Sequence, residues 1–191
     1  MRSGADPGPR SPGDRPESGS PRASLGRRVA TCFQCRVSIR AQGERIHAEL
    51  ATPARQLGLQ PFLREVRPRA DGLGFEALER VPLLGPLAVR TRIRVELHAV
   101  EAPTRIAFRA RSGAVRIHSE FRLRPSATEE DVTDVLERVA LVMPAGWGPL
   151  RRFVLRRARQ AQHGLLENLR RRMEAREPAA QRVAGPVQGS R

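Results

Sequence analysis

The sequence predicts an α+β fold, a curved antiparallel sheet of seven strands wrapped around one long C-terminal helix, with two short helices after the first strand. Three observations carry the prediction. Within Ala88–Ala99, Thr104–Ser112 and Ala114–Arg124, apolar and charged residues alternate almost without a break, the period of two that marks half-buried antiparallel strands. From Pro149 to about Arg176, Leu150, Val154, Ala158, Ala161, Leu165, Leu169 and Met173 recur at helical spacing and form one apolar stripe. No other late segment can cover the apolar sheet face, so helix and sheet must pack on each other.

Taken in order, residues 1–28 are rich in Pro, Gly, Ser and Arg and offer nothing to bury, so disorder is expected. Phe33–Ala41 reads as the first strand, with Cys35, Val37 and Ile39 on one face. Gln42-Gly43 breaks it, Glu44–Ala51 presents Ile46 and Leu50 at helical spacing, and Pro53 opens a second helical piece that ends near Gly58. Strands Phe62–Arg67 and Gly74–Arg80 flank the turn signal Asp71-Gly72. In the central three strands Val89, Thr91, Ile93, Val95 and Leu97 share a face with Ile106, Phe108 and Ala110 and with Val115, Ile117, Ser119, Phe121 and Leu123. A two-residue turn at Ser112-Gly113 would set Arg109 opposite Arg116 and Ala110 opposite Val115, while the loop at Pro103 would set Arg94 opposite Arg109. A row of three arginines follows. The last strand, Val132–Val142, has an acidic lead-in of Glu129, Glu130, Asp131 and Asp134. Gly146 and Gly148 punctuate the entry to the helix, and Pro149 suits its first turn. At mid-stripe stand only alanines, so the helix there either approaches the sheet closely or leaves a void. Residues 176–191 have the character of the N-terminal segment and are also expected to be disordered, which places the domain at 32–175.

A chain of 191 residues with 39% hydrophobic content suits one domain with a real core. Its net charge of +15 is concentrated on the last helix. Every basic side chain except histidine is Arg, as in the codon bias of a GC-rich genome; the bias explains Arg over Lys but not the surplus of positive charge. No apolar segment is long enough for a signal peptide or a membrane span, so a cytoplasmic location is expected. Cys32 and Cys35 cannot make a disulfide framework.

The order of elements resembles the helix-grip fold of the START/SRPBCC superfamily, over roughly residues 32–175. Gly43-Glu44-Arg45-Ile46-His47-Ala48-Glu49-Leu50-Ala51-Thr52-Pro53 is similar to that superfamily's first-helix pattern P-x-x-V-W-x-x-L-x-D-P, with His47 in place of Trp and Thr52 in place of Asp. Phe108–Gly113 and the closing Pro149–Met173 helix resemble it as well. The resemblance implies a ligand between the long helix and the concave sheet face. It names no reaction, because the superfamily hosts carriers and a minority of enzymes, polyketide cyclases among them.

On that basis the candidate lining is Ile93, Val95, Leu97, Phe108, Ile117, Phe121, Val139, Ala158, Ala161 and Leu165, and the expected partner is a small hydrophobic molecule, lipid, quinone or polyketide-like. Glu137 joins this set if the alternation of Val135, Val139 and Leu141 holds, since it then faces the core; a register shift or bulge would turn it outward. The loop Val81–Leu87, apolar, rigidified by two prolines and hinged at Gly85, is a candidate gate over the cavity mouth through Leu83, Leu84 and Gly85, or a contact with membrane or a partner, with simple packing over the helix end as the alternative. No triad, phosphate loop, carboxylate pair or metal-ligand spacing is present, so no catalytic residue, metal or cofactor is assigned, and a binding protein is favoured over a cyclase-like enzyme. Cys32 and Cys35 form a lone C-x-x-C on a strand, which points them to opposite faces. His47, His98, His118 and His163 lie on separate elements. The Arg surfaces (Arg90, Arg92, Arg94, Arg109, Arg111 and Arg116 on the sheet; Arg151, Arg152, Arg156, Arg157, Arg159, Arg170, Arg171 and Arg172 on the helix) suit a weak contact with anionic membrane or nucleic acid. They lack interleaved aromatic platforms for base stacking, and a solvated Arg face is the favoured reading.

Overall fold

The computed structural model describes residues 27–82 and 88–183. Strand β1 (Arg28–Arg40) leads into helix α1 (Gly43–Ala51) and a 3-10 turn at Pro53–Gln56. There follow β2 (Leu63–Pro68), β3 (Gly74–Pro82), β4 (Ala88–Glu101), β5 (Arg105–Ser112), β6 (Val115–Pro125) and β7 (Val132–Pro144). The long helix α2 (Gly148–Val183) closes the chain. The seven strands form one antiparallel sheet in the order β1-β7-β6-β5-β4-β3-β2. The expected fold class is the one observed.

Several details differ from expectation. β1 starts at Arg28 instead of Phe33, because β7 runs on to Pro144 and pairs with it from Arg28↔Pro144 through Arg40↔Val132. Arg28 therefore belongs to the sheet and not to the N-terminal tail; residues 1–26 lie outside the described residues. α2 continues past Arg176 to Val183. Residues 176–183 are thus helical, and 184–191 lie outside the described residues. The β5–β6 turn is Gly113-Ala114, with Gly113 at φ +56° taking the first turn position, where positive φ suits glycine. Strand pairing then moves by two residues: Arg111 faces Arg116, Arg94 faces Arg111, and Arg109 lies between Glu96 and His118. The arginine row is Arg94–Arg111–Arg116. An even shift leaves every side chain on its expected face.

The concave face is filled unevenly. At the α1 end, Ile39, Ile46, Leu50, Leu59, Ile106, Phe121, Leu165, Leu166, Leu169 and Met173 form a core of buried side chains, each contributing about 1.5–3 kcal/mol by burial. α2 is therefore anchored through its C-terminal half. Glu49 is buried there and receives Arg172 Nη1 at 2.9 Å and Arg55 Nη1 at 3.3 Å, while Arg172 also donates to the carbonyls of Arg55 and Leu57. Asn168 Nδ2 donates to Leu59 O at 2.9 Å. These bonds tie α1 and the 3-10 turn to the helix. The N-terminal half of α2 packs less deeply: Val154, Leu155 and Ala158 lie half-buried against a second, smaller cluster of Val115, Val139, Leu141 and Met143, Phe153 and Ala161 are half-buried, and Leu150 is exposed.

Candidate functional site: a cavity under the long helix

Between α2, whose stripe carries only alanine at its centre, and the inward face of the sheet lies a cavity of about 360 Å³, within the range of small-molecule sites. Its walls come from the inward positions of β3 to β7, from Leu50, Gln56, Gln60, Phe62 and Leu63, and from Trp147 through Leu165 on and before α2. Ile93, Val95, Phe108, Ile117, Phe121, Glu137, Val139, Ala158, Ala161 and Leu165 all line it. Leu97 does not. It faces inward opposite Phe108, but at the end of the sheet that α1 has filled, in a crevice with Leu50, Pro53 and Gly74. Leu83, Leu84 and Gly85, the proposed gate, lie outside the described residues. Phe108 and Phe121 meet edge to face at 5.9 Å, a favoured aromatic geometry that fixes the wall between β5 and β6.

The walls are mainly apolar, with a few polar groups that sequence reading only partly found. Glu137 points inward: no bulge interrupts β7, and it sits between its pairing partners Cys35 and Phe121 with none of its surface exposed. Ser119 Oγ donates to Glu137 Oε1 at 2.5 Å, while Oε2 is buried with no hydrogen-bond partner among the described residues. Burial pushes the Glu137 carboxyl up to about 7 against the opposing pull of the Ser119 hydrogen bond. Glu79, half-buried and lining the cavity from β3, is raised to about 7 by burial as well. Its inward position follows from the alternation Phe75, Ala77, Glu79, Val81, the pattern that exposed Glu137 to notice. Gln162, buried and with Oε1 unpartnered, also lines the cavity. It lies four residues after Ala158, on a flank of the stripe that a wider helical face would have included. Arg157 lines the wall with its guanidinium over the Phe153 ring and Nη1 bonded to Gln160 Oε1 at 2.8 Å. Trp147, in the turn before α2, is a further lining residue.

The remaining candidates do not converge on this site. Cys35 is buried and Cys32 exposed, on opposite faces of β1; burial, then Glu137, push the Cys35 thiol up to about 11 despite Arg159, so it is no nucleophile at neutral pH. His98 and His118 lie on the outer sheet face, where burial and then Arg109, His98 and Arg116 hold His118 below its ordinary value. Among the described residues no histidine lines the cavity. The site can enclose an apolar molecule and offer it carboxyl, hydroxyl and amide groups.

No protein-family model and no curated protein matches the sequence. Solved structures do. A START superfamily protein from Mycobacterium smegmatis superposes with a TM-score of 0.60 at 14% identity, covering 75% of this chain and 97% of that one. The Zhui aromatase/cyclase from Streptomyces sp. R1128 gives 0.62 at 16% identity, with coverages of 80% and 98%. The fold is the START/SRPBCC-like helix grip. A Deinococcus radiodurans protein has the same helix grip, with a TM-score of 0.54 at 22% identity over 78% of this chain and 99% of that one. Among the described residues no helix is long and apolar enough to cross a membrane.

Proposed function

We propose that this helix-grip domain binds one small hydrophobic molecule in the cavity between α2 and the sheet, acting as a carrier or sensor of a lipid, quinone or polyketide-like compound. The observation that supports this reading is the cavity itself, about 360 Å³ with mainly apolar walls, kept open by Ala158 and Ala161 where the rest of the helix stripe carries larger side chains. An evolved core closes such space, because unfilled volume costs about 24 cal/mol per Å³ in a packed interior. A ligand that occupies it recovers dispersion contacts and keeps water out. The test is native mass spectrometry of the protein purified from its own host: one apolar molecule per chain is expected, and it should be absent from the Ala161→Phe variant, whose ring would project into the same space. Consistently empty protein from its own host would count against the carrier.

A second reading, a cyclase-like enzyme, is favoured by one observation, the Glu137 carboxyl at about 7 inside the cavity, where a general acid or base works best near the operating pH. Turnover of the co-purified molecule, lost in Glu137→Gln, would select it.

A further inference from the structure

We propose that the cavity selects uncharged ligands bearing a carbonyl oxygen, which accepts a hydrogen bond from the Glu137 carboxyl through Oε2, and that it rejects carboxylate amphiphiles of the same length. This rests on the carrier reading above and specifies its ligand. Glu137 is fully buried and its two oxygens are unequal: Oε1 accepts the Ser119 hydroxyl at 2.5 Å, and Oε2 has no partner among the described residues.

No cation is paired with it among the described residues. From β1 comes the protonated thiol of Cys35; from β6 the Ser119 hydroxyl and the Phe121 ring; from β7 itself Val135 and Val139. From α2, Arg159 stacks over Phe33, Gln162 presents an amide, and Arg157 is turned to Gln160 and Phe153. Glu79, the other cavity acid, lies on β3, with three strands between it and β7. Glu137 forms no ion pair among the described residues, and a buried carboxyl without one keeps its proton. A protonated carboxyl has one O–H to donate. With Oε1 already accepting from Ser119, that O–H is best placed on Oε2, where a ligand carbonyl satisfies it. A ligand carboxylate would instead place a negative charge in a low-dielectric site beside a carboxyl that cannot neutralise it.

Competition against a neutral fluorophore, N-phenylnaphthylamine, tests this with three probes of matched length: methyl decyl ketone, dodecanoate and dodecylamine. At about pH 6 the ketone should displace the fluorophore at a concentration at least about tenfold lower than dodecanoate, since one buried hydrogen bond is worth about that factor and the avoided buried charge adds to it. Ketone affinity should fall as pH rises through about 7, where the carboxyl loses its proton. Glu137→Gln, which retains an N–H donor, should keep the ketone and abolish the pH step. Glu137→Leu should lose the ketone about tenfold yet still bind the fluorophore, and Glu79→Gln should leave the step in place. Equal affinity for ketone and dodecanoate at about pH 6, or dodecylamine binding more tightly than the ketone at that pH, would overturn the role given to Glu137 while leaving the carrier intact. No fluorophore binding at all would overturn the carrier reading and this inference with it.

Discussion

Replacing Arg172 with Met should loosen the wall of the cavity that α1 provides. Glu49 has 1% of its side chain exposed and is held by Arg172 at 2.9 Å and Arg55 at 3.3 Å; Arg172 is 26% exposed and Arg55 47%. Removing one partner of a buried ion pair costs about 3–5 kcal/mol, because the other charge is stranded. Here the half-exposed Arg55 remains and screens part of that loss, whereas the two charge-assisted bonds from Arg172 to the carbonyls of Arg55 and Leu57 disappear as well. The balance is a loss of about 2–3 kcal/mol. Met keeps the aliphatic stem, so packing changes little. At about 2–4 °C per kcal/mol for a chain of this size, the melting temperature should drop by about 5–10 °C, measured by calorimetry and urea titration. Combining the change with Glu49→Gln in a double-mutant cycle should recover more than about 1 kcal/mol of coupling. A loss below about 1 kcal/mol with no coupling would mean that the clamp does not hold α1 and the 3-10 turn to α2.

Other outcomes follow from the same contacts. Gly74→Ala should abolish folding or cost several kcal/mol in a urea titration, since a Cβ there would sit 2.1 Å from the Val95 carbonyl oxygen across β3 and β4; a variant of wild-type stability would show that these strands are not so closely paired. Arg111→Gln, which relieves the like-charge contacts with Arg94 and Arg116, should be neutral or stabilise by up to about 0.5 kcal/mol, an effect that shrinks in salt; a clear loss of stability or of heparin retention would assign the row to an anion. Glu137 and Glu79 hold folded values of about 7 against an ordinary 4.5. The folded state thus binds more protons, and stability should decline as pH rises from about 4.5 to about 7 and level off above. Glu137→Gln should flatten that slope in thermal melts across pH, and an unchanged slope would place the titration elsewhere.

The sheet and the long helix were readable because each obeys a single period: Val89 to Leu97 alternate, and Leu150 to Met173 recur every three or four residues. The cavity was readable only as an ambiguity at Ala158 and Ala161, since small residues fit both a close approach and a void; the anchoring of α2 by Leu165, Leu166, Leu169 and Met173 at its other end resolves it. Turn position was not fixed by composition. Ser112-Gly113 and Gly113-Ala114 are both acceptable turn dipeptides, and the choice between them moved the arginine row from Arg109 to Arg111 while preserving faces. Leu97 was misplaced because period two gives the face of a strand but not the position along it that α1 covers. Glu79, like Gln162, escaped notice because a polar residue next to apolar ones reads as solvent-facing, although Phe75, Ala77 and Val81 alternate with it.

Trp147 is the only tryptophan in the chain and lines the cavity, which makes it an internal reporter of occupancy. Titration with N-phenylnaphthylamine while exciting Trp147 should give saturable energy transfer at one probe per chain, and Ala161→Phe should abolish it with the melting temperature nearly unchanged. Transfer that never saturates, or that survives Ala161→Phe in full, would contradict binding in the space beneath the helix.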